Sequence, residues 1–248
     1  MKKQRQSINR REALGVLGAA GLAFVGGCGS SPTSPSTTTT ASNNSGTGGG
    51  TSGAASCVVT PEETAGPYPD RTGMLNSPAF FRRDVTEGKP GLPLTLAITV
   101  VNVRNSCAPL ADAAVEIWQC DAAGNYSEYS QPGFNGTGQT FLRGLQTTDA
   151  GGKVTFSTIY PGWYMGRATH IHVEIYTNGR SIKTTQIAFP ESVSSAVYRT
   201  GVYASKGQNT TTNASDNVFS DGVQDELAAL AGDTTSGYTA TITIGVSV

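Results

Sequence analysis

His170 and His172 are the only histidines in this 248-residue chain, and they sit two apart in THIHVEIY. A β-branched run of this kind reads as a strand, and residues at i and i+2 of a strand share a face. Ile171, Val173 and Ile175 then take the core side, and the two imidazoles point together off the other. Two neutral ring nitrogens on one face form a ligand pair for a metal ion. The competing reading is two buried histidines satisfied by hydrogen bonds. Placement of the chain's whole histidine content in one such pair weighs against it.

Two ligands do not close a metal site. The absence of a third histidine argues against three-histidine zinc or copper centres and cupin-type sites, so the rest must be carboxylate, thiolate or phenolate. Tyr164 lies six residues before His170, behind a Pro161-Gly162 turn signal that lifts it off a strand end. Tyr126 ends IWQCDAAGNY, where the apolar alternation of Val115 and Ile117 gives way to a turn through Asp121, Gly124 and Asn125. Taken alone, each tyrosine is equally a packed aromatic with a wet hydroxyl. Glu174 shares the face of the histidines and would instead give a ferrous two-histidine, one-carboxylate oxygenase. Cys120 is a further competitor, as a thiolate.

The segments TPEETAGPYPD, IWQCDAAGNYS, FLRGLQTTDAGGKVTF and IYPGWYMGRATHIHVEI, in this order and spacing, resemble the intradiol ring-cleavage dioxygenases, the family of protocatechuate and catechol dioxygenases. The likeness runs from about Cys57 to at least Phe189. It implies a non-haem ferric iron held by Tyr126, Tyr164, His170 and His172. It also maps the family's arginine, three residues before the first histidine, onto Arg167, and its glutamine in the following strand onto Gln186. The implied substrates are a catechol-type aromatic and dioxygen, and the product is a cis,cis-muconate. Within that scheme Tyr164 is the labile ligand that takes up a substrate proton, Arg167 stabilises charge developing on the ring, and Gln186 is a neutral hydrogen-bonding partner. The competing assignments are a surface ion pair for Arg167 and a solvent-paired strand residue for Gln186.

The family's TEGPY-type motif here reads Thr64-Ala65-Gly66-Pro67-Tyr68, with an acidic residue lost and Tyr68 expected to line the substrate pocket. The chain also lacks the N-terminal helical domain of the cytoplasmic catechol enzymes, so their dimerisation is not assumed and the oligomeric state stays open. A reading outside enzymology remains: a lipid-tethered β-sandwich binding module whose Trp118, Trp163, Tyr126 and Tyr164 form a sugar-stacking surface. It leaves the histidine pair unexplained.

The elements that must position these residues are strands. Runs at 93–103, 113–119, 139–145, 153–158, 170–176, 183–189 and 238–246 alternate and are separated by turn signals such as Gly151-Gly152 and Asn178-Gly179. Leu94, Leu96, Ile98 and Val100 give the clearest apolar face. The pattern predicts an all-β fold, a two-sheet β-sandwich with long loops over the metal site and little helix. Helix is expected only at 225–231 and at 192–203, the latter, with 209–213, serving as loops over the site.

Residues 1–27 read as an export signal, with Arg10-Arg11 similar to a twin-arginine motif and an apolar run too short to span a bilayer. Val25-Gly26-Gly27-Cys28 resembles a bacterial lipobox, which makes Cys28 the lipidated first residue of the mature protein. An ordinary cleaved signal is the alternative. Residues 28–56 are a Ser/Thr/Gly-rich tether unable to bury enough surface to offset ordering, and residues 57–248 are one catalytic domain. The expected location is the bacterial cell envelope, periplasmic or on the extracellular face, with membrane contact only through the lipid. Loss of residues 1–27 removes five basic and one acidic residue, so that 17 and 18 become 12 and 17 and the net charge is −5. That is no footprint for nucleic acid. Of the remaining cysteines, Cys57 and Cys107 flank strands in loops while Cys120 continues a strand. An exported chain permits a disulfide, and Cys57 to Cys107 is the expected pair, leaving Cys120 buried and free.

Overall fold

The computed structural model describes residues 57–248, so the expected export signal, Cys28 and the expected tether lie outside the described residues. The strands are β1 (Pro93–Asn102), β2 (Ala108–Pro109), β3 (Ala114–Trp118), β4 (Ser130–Gln131), β5 (Phe134–Asn135), β6 (Arg143–Thr147), β7 (Lys153–Ile159), β8 (His170–Thr177), β9 (Arg180–Ala188), β10 (Ala229–Asp233) and β11 (Gly237–Val246). One sheet has the order β10-β11-β1-β2, with β7 also paired to β1. The other has the order β6-β3-β8-β9. The β1–β11 pairing is parallel and the other strand pairs are antiparallel.

The alternation of β1 explains the sandwich. Leu94, Leu96, Ile98 and Val100 are buried on one face, joined by Val154 and Phe156 of β7 and Ala240 and Ile244 of β11. Facing them in the same core are Val115 and Ile117 of β3, Ile171, Val173 and Ile175 of β8, and Ile187 of β9. Each such side chain contributes about 1.5–3 kcal/mol of transfer free energy when buried. A one-residue slip of β8 would move these three residues out of the core and the histidines into it, so the apolar face fixes the register of the histidine pair.

Two boundaries differ from the sequence expectation for physical reasons. The strand expected at 139–145 begins only at Arg143, because Leu142 adopts φ 57° and its N–H bonds to the Val85 carbonyl. The strand expected at 183–189 begins three residues earlier, because Asn178 and Gly179, both at positive φ, make a tight hairpin from β8 straight into β9. The helix expected at 225–231 is not formed. The segment DELAAL has helical propensity, but Leu227 bridges to Ala188 beside β9, and residues 229–233 pair with β11 as an edge strand, so tertiary pairing overrides the local preference. The 192–203 helix is split into α1 (Glu191–Val197) and a 3₁₀ turn at Gly201–Tyr203. Cys57 and Cys107 form a disulfide that ties the start of the domain to the turn before β2, and Cys120 is free and buried.

Candidate metal centre

The outer face of the second sheet carries the site. Directly paired residues of neighbouring strands project to the same side, and one rung across the four strands reads Arg143, Trp118, His172, Gln186. Two residues earlier on β8, His170 lies on the same face. The Trp118 indole stacks parallel on the His172 ring at 4.7 Å between centroids, fixing the plane of the imidazole. Trp118 and Tyr126 are both completely buried, so no sugar-stacking surface of the kind considered above exists.

Each tyrosine arrives on a turn. After β3 the chain closes on itself through Asp121, whose Oδ1 accepts the N–H groups of Ala123 and Asn125. Gly124, at φ 87°, lets this turn press against the Trp163 carbonyl, where any Cβ would collide. Tyr126 is thereby held against the segment that carries Tyr164. That segment is braced by Tyr198, just past α1, whose hydroxyl donates to the carbonyls of Pro161 and Gly162 and contacts Thr169 Oγ1.

The result is a convergence of four donor atoms. His170 Nε2 lies 3.2 Å from His172 Nε2, 3.4 Å from Tyr126 Oη and 3.3 Å from Tyr164 Oη. His170 Nδ1 sits 2.6 Å from the Ala168 carbonyl. A carbonyl only accepts, so Nδ1 carries the hydrogen and Nε2 presents a bare lone pair to the cluster. Burial pushes His170 down to about 3, with the Arg167 charge adding to it, and drives His172 well below the ordinary range. Burial likewise raises Tyr126 strongly and lifts Tyr164 to about 12. Left to protons alone the cluster is therefore neutral: two phenols and two uncharged imidazoles crowded around one lone pair. A cation that accepts two oxygen and two nitrogen donors fits this set, because it replaces the phenolic protons and uses both imidazole lone pairs.

Arg167 is adjacent but cannot ligate. Its Nη1 is 3.5 Å from His170 Nε2, its Nη2 donates to Gln186 Oε1 at 2.5 Å, and its Nε faces both oxygens of Asp216 at 2.9 and 3.1 Å. Gln186 Nε2 donates in turn to the Thr64 carbonyl. The Thr64–Tyr68 strap lies across the site. Gly66, at φ 70°, passes so close that a Cβ would stand 2.9 Å from His172 Cε1. Tyr68 then stacks on Tyr126 at 4.6 Å and meets Tyr164 edge-on at 5.9 Å. Glu174 does not join the histidines. It pairs in register with Glu116, and among the described residues no three-residue His/Cys/Asp/Glu group includes it.

Three participants escaped sequence reading. Asp216 lies in the motif-free stretch NASDNVF. Trp118 was visible only as an aromatic. Arg143 is fully buried behind the site, where it bonds Ser127 and the Tyr68 carbonyl and so supports the strap from below.

A family model described as Dioxygenase matches residues 66–208, a span that contains Tyr68, Tyr126, Tyr164, Arg167, His170, His172 and Gln186. The chain belongs to the intradiol ring-cleavage dioxygenase family. Its fold is similar to that of an intradiol ring-cleavage dioxygenase from Tetranychus urticae, with a TM-score of 0.69 and 28% identity over 77% of this chain and 95% of the other. It is also similar to the dioxygenase domain of a dioxygenase carbohydrate-binding protein fusion from Streptomyces, with a TM-score of 0.56 and 29% identity over 77% and 99%. Catechol 1,2-dioxygenase 2 of Acinetobacter lwoffii is 35% identical over 99 residues, or 32% of this chain and 34% of that protein. The chain thus spans about a third of the length of this curated relative.

Proposed function

We propose that this protein is a non-haem ferric dioxygenase that cleaves catechol-type aromatics between the two hydroxyl-bearing carbons, giving muconate-type products. The observation that carries this reading is the gathering of two phenol oxygens and the His172 Nε2 within 3.4 Å of His170 Nε2. Tyr126, Tyr164, His170 and His172 are the residues that would hold the iron. A ferric ion held there would supply Lewis-acid activation of a catechol ring toward dioxygen.

The chain's own residues divide the remaining work. Tyr126 is sealed beneath Tyr68, whereas Tyr164 is only partly buried and stands at the end of a turn, so Tyr164 is the residue placed to take up a substrate hydroxyl proton at Oη. Arg167, permanently charged and aimed at the cluster, stabilises negative charge developing on the ring. Gln186 fixes the outer end of its guanidinium. Tyr68, flat against Tyr126, borders the space a planar aromatic enters.

We further infer that the domain works outside the cytoplasm, carried by a lipid on Cys28 and a tether at residues 28–56. The Cys57–Cys107 disulfide supports an oxidising compartment. Turnover of catechol under isotopically labelled dioxygen tests the reaction. The expected product is a muconate carrying both labelled atoms, and a singly labelled or extradiol product would contradict the assignment.

A further inference from the structure

A second cluster of ionisable groups lies outside the four-donor set. Glu63, Asp221 and Glu226 bring one carboxylate oxygen each within 4.8 Å of one another. They come from three parts of the chain: the strap before Thr64, an exposed turn after Phe219, and the segment running beside β9. None of the five ion pairs among the described residues involves any of them. Glu226 supplies an independent sign that something is missing. Its side chain is completely buried; Oε1 accepts from Thr185 Oγ1 at 2.8 Å, while Oε2 is enclosed without a hydrogen-bond partner. An unpaired buried carboxylate oxygen is costly, and two further carboxylates beside it add repulsion. Burial first, then the neighbouring carboxylates, pushes both Glu63 and Glu226 up to about 7.

We propose that Glu63, Asp221 and Glu226 form a binding site for a hard divalent cation of the calcium type, separate from the iron centre. The donors are all anionic oxygens, with no nitrogen or sulfur to favour zinc or copper. One ligand, Asp221, sits on an exposed turn and can adjust its position, which suits the variable coordination of calcium better than the strict octahedron of magnesium. The cation's role is to clamp the site's outer wall. Glu63 donates its N–H to the Thr184 carbonyl, and the next residue, Thr64, accepts from Gln186. Asp221 lies five residues beyond Asp216, which holds Arg167. A cation shared by Glu63, Asp221 and Glu226 therefore ties the strap, β9 and the Asp216 loop together around the Arg167–Gln186 pair.

The test reads binding and unfolding rather than turnover, so its result stands apart from the ring-cleavage assignment. Iron-loaded protein cleared of other cations is titrated calorimetrically with calcium chloride, and its Tm is followed in parallel. The expected result is one ion per chain and a Tm that rises with calcium. Asp221→Asn, at an exposed position, is expected to weaken binding about tenfold or more as an anionic ligand is lost and to abolish the calcium-dependent rise. No heat and no Tm change up to about 10 mM calcium, beyond the range of weak extracellular sites, would overturn the proposal. So would calcium binding that Asp221→Asn and Glu63→Gln both leave unchanged. An Asp221→Asn protein more stable than wild type, with no calcium response in either, would show that shared protons hold the cluster.

Discussion

Arg167 and Asp216 form a paired unit: the guanidinium Nε faces both carboxylate oxygens at 2.9 and 3.1 Å, and Asp216 is itself almost fully buried, accepting the N–H groups of Ala168 and Val218. Two backbone N–H groups thus fix a carboxylate that in turn fixes the arginine beside the donor cluster. The cation is held at one end by Asp216 and at the other by Gln186, so its charge is directed before substrate arrives, which is the condition for electrostatic stabilisation without reorganisation.

Asp216→Asn keeps most of the shape but loses the charge pairing at Arg167. A misplacement of about 1 Å in a positioned group can cost about 10²-fold, so kcat should fall by up to that factor with little change in KM and with iron content preserved. An unchanged kcat with raised KM would make Asp216 a binding residue. Equal loss of iron would make it a scaffold residue.

Arg167→Ser should retain iron and visible absorption while turnover falls by about 10²- to 10³-fold, the usual cost of removing one preorganised electrostatic group. Muconate formation is to be compared at matched iron content. Near-wild-type ring cleavage in this variant would remove Arg167 from the reaction.

Tyr126→Phe and His172→Ala should lose the metal itself, since each deletes a completely buried donor that no neighbouring side chain can replace. Elemental analysis of the purified variants decides this, with circular dichroism to confirm the fold. Full iron in both would mean the ligand set has been drawn wrongly.

Stability should carry a pH signature from Glu116. This carboxyl is buried on the outer face of the second sheet, opposite Glu174, and burial first, then the charges of Asp70 and Glu174, raise it from 4.5 to about 8. A group whose folded value lies above its unfolded one stabilises the fold at low pH, and that contribution is lost as pH rises through the folded value. Wild-type Tm should therefore decline between about pH 5 and pH 8.5, and Glu116→Gln should flatten the decline and be the more stable protein at the upper end. A variant with the same slope as wild type would assign the dependence elsewhere.

The sandwich and the shared face of the two histidines were legible because they rest on local periodicity, whereas Tyr126 and Tyr164 entered only through the family resemblance. Alternation in β1 and β8 dictates which side chains face the core, and the two histidines fall on the opposite face as a direct consequence. The turns announced themselves through Asp121, Gly124 and the Pro161-Gly162 pair. Illegible were the features created by long-range closure. Asp216 reaches Arg167 across 49 positions, and nothing in its own neighbourhood marks it. Residues 225–231 look helical locally and become an edge connection only because β9 and β11 wait beside them. The competing Glu174 ligand was plausible by face alone. It fails because the strand carries it away from the mouth toward Glu116, a distinction of position along the strand that periodicity does not encode.

The anchor gives its own test. Wild-type protein should fractionate with membranes after a high-salt wash and Cys28→Ser should not, and retention of the variant on membranes would refute the lipid assignment.

The central claim is that two phenolates and two imidazoles hold ferric iron, and the visible spectrum of purified protein with and without catechol tests it most directly. Tyrosinate bound to ferric iron gives a broad charge-transfer band, so the protein should be coloured, contain about one iron per chain as a four-donor site requires, and shift its absorption when catechol is added under exclusion of air. A colourless protein that cleaves catechols with zinc alone, or only with added reductant or a 2-oxo acid, would contradict the account.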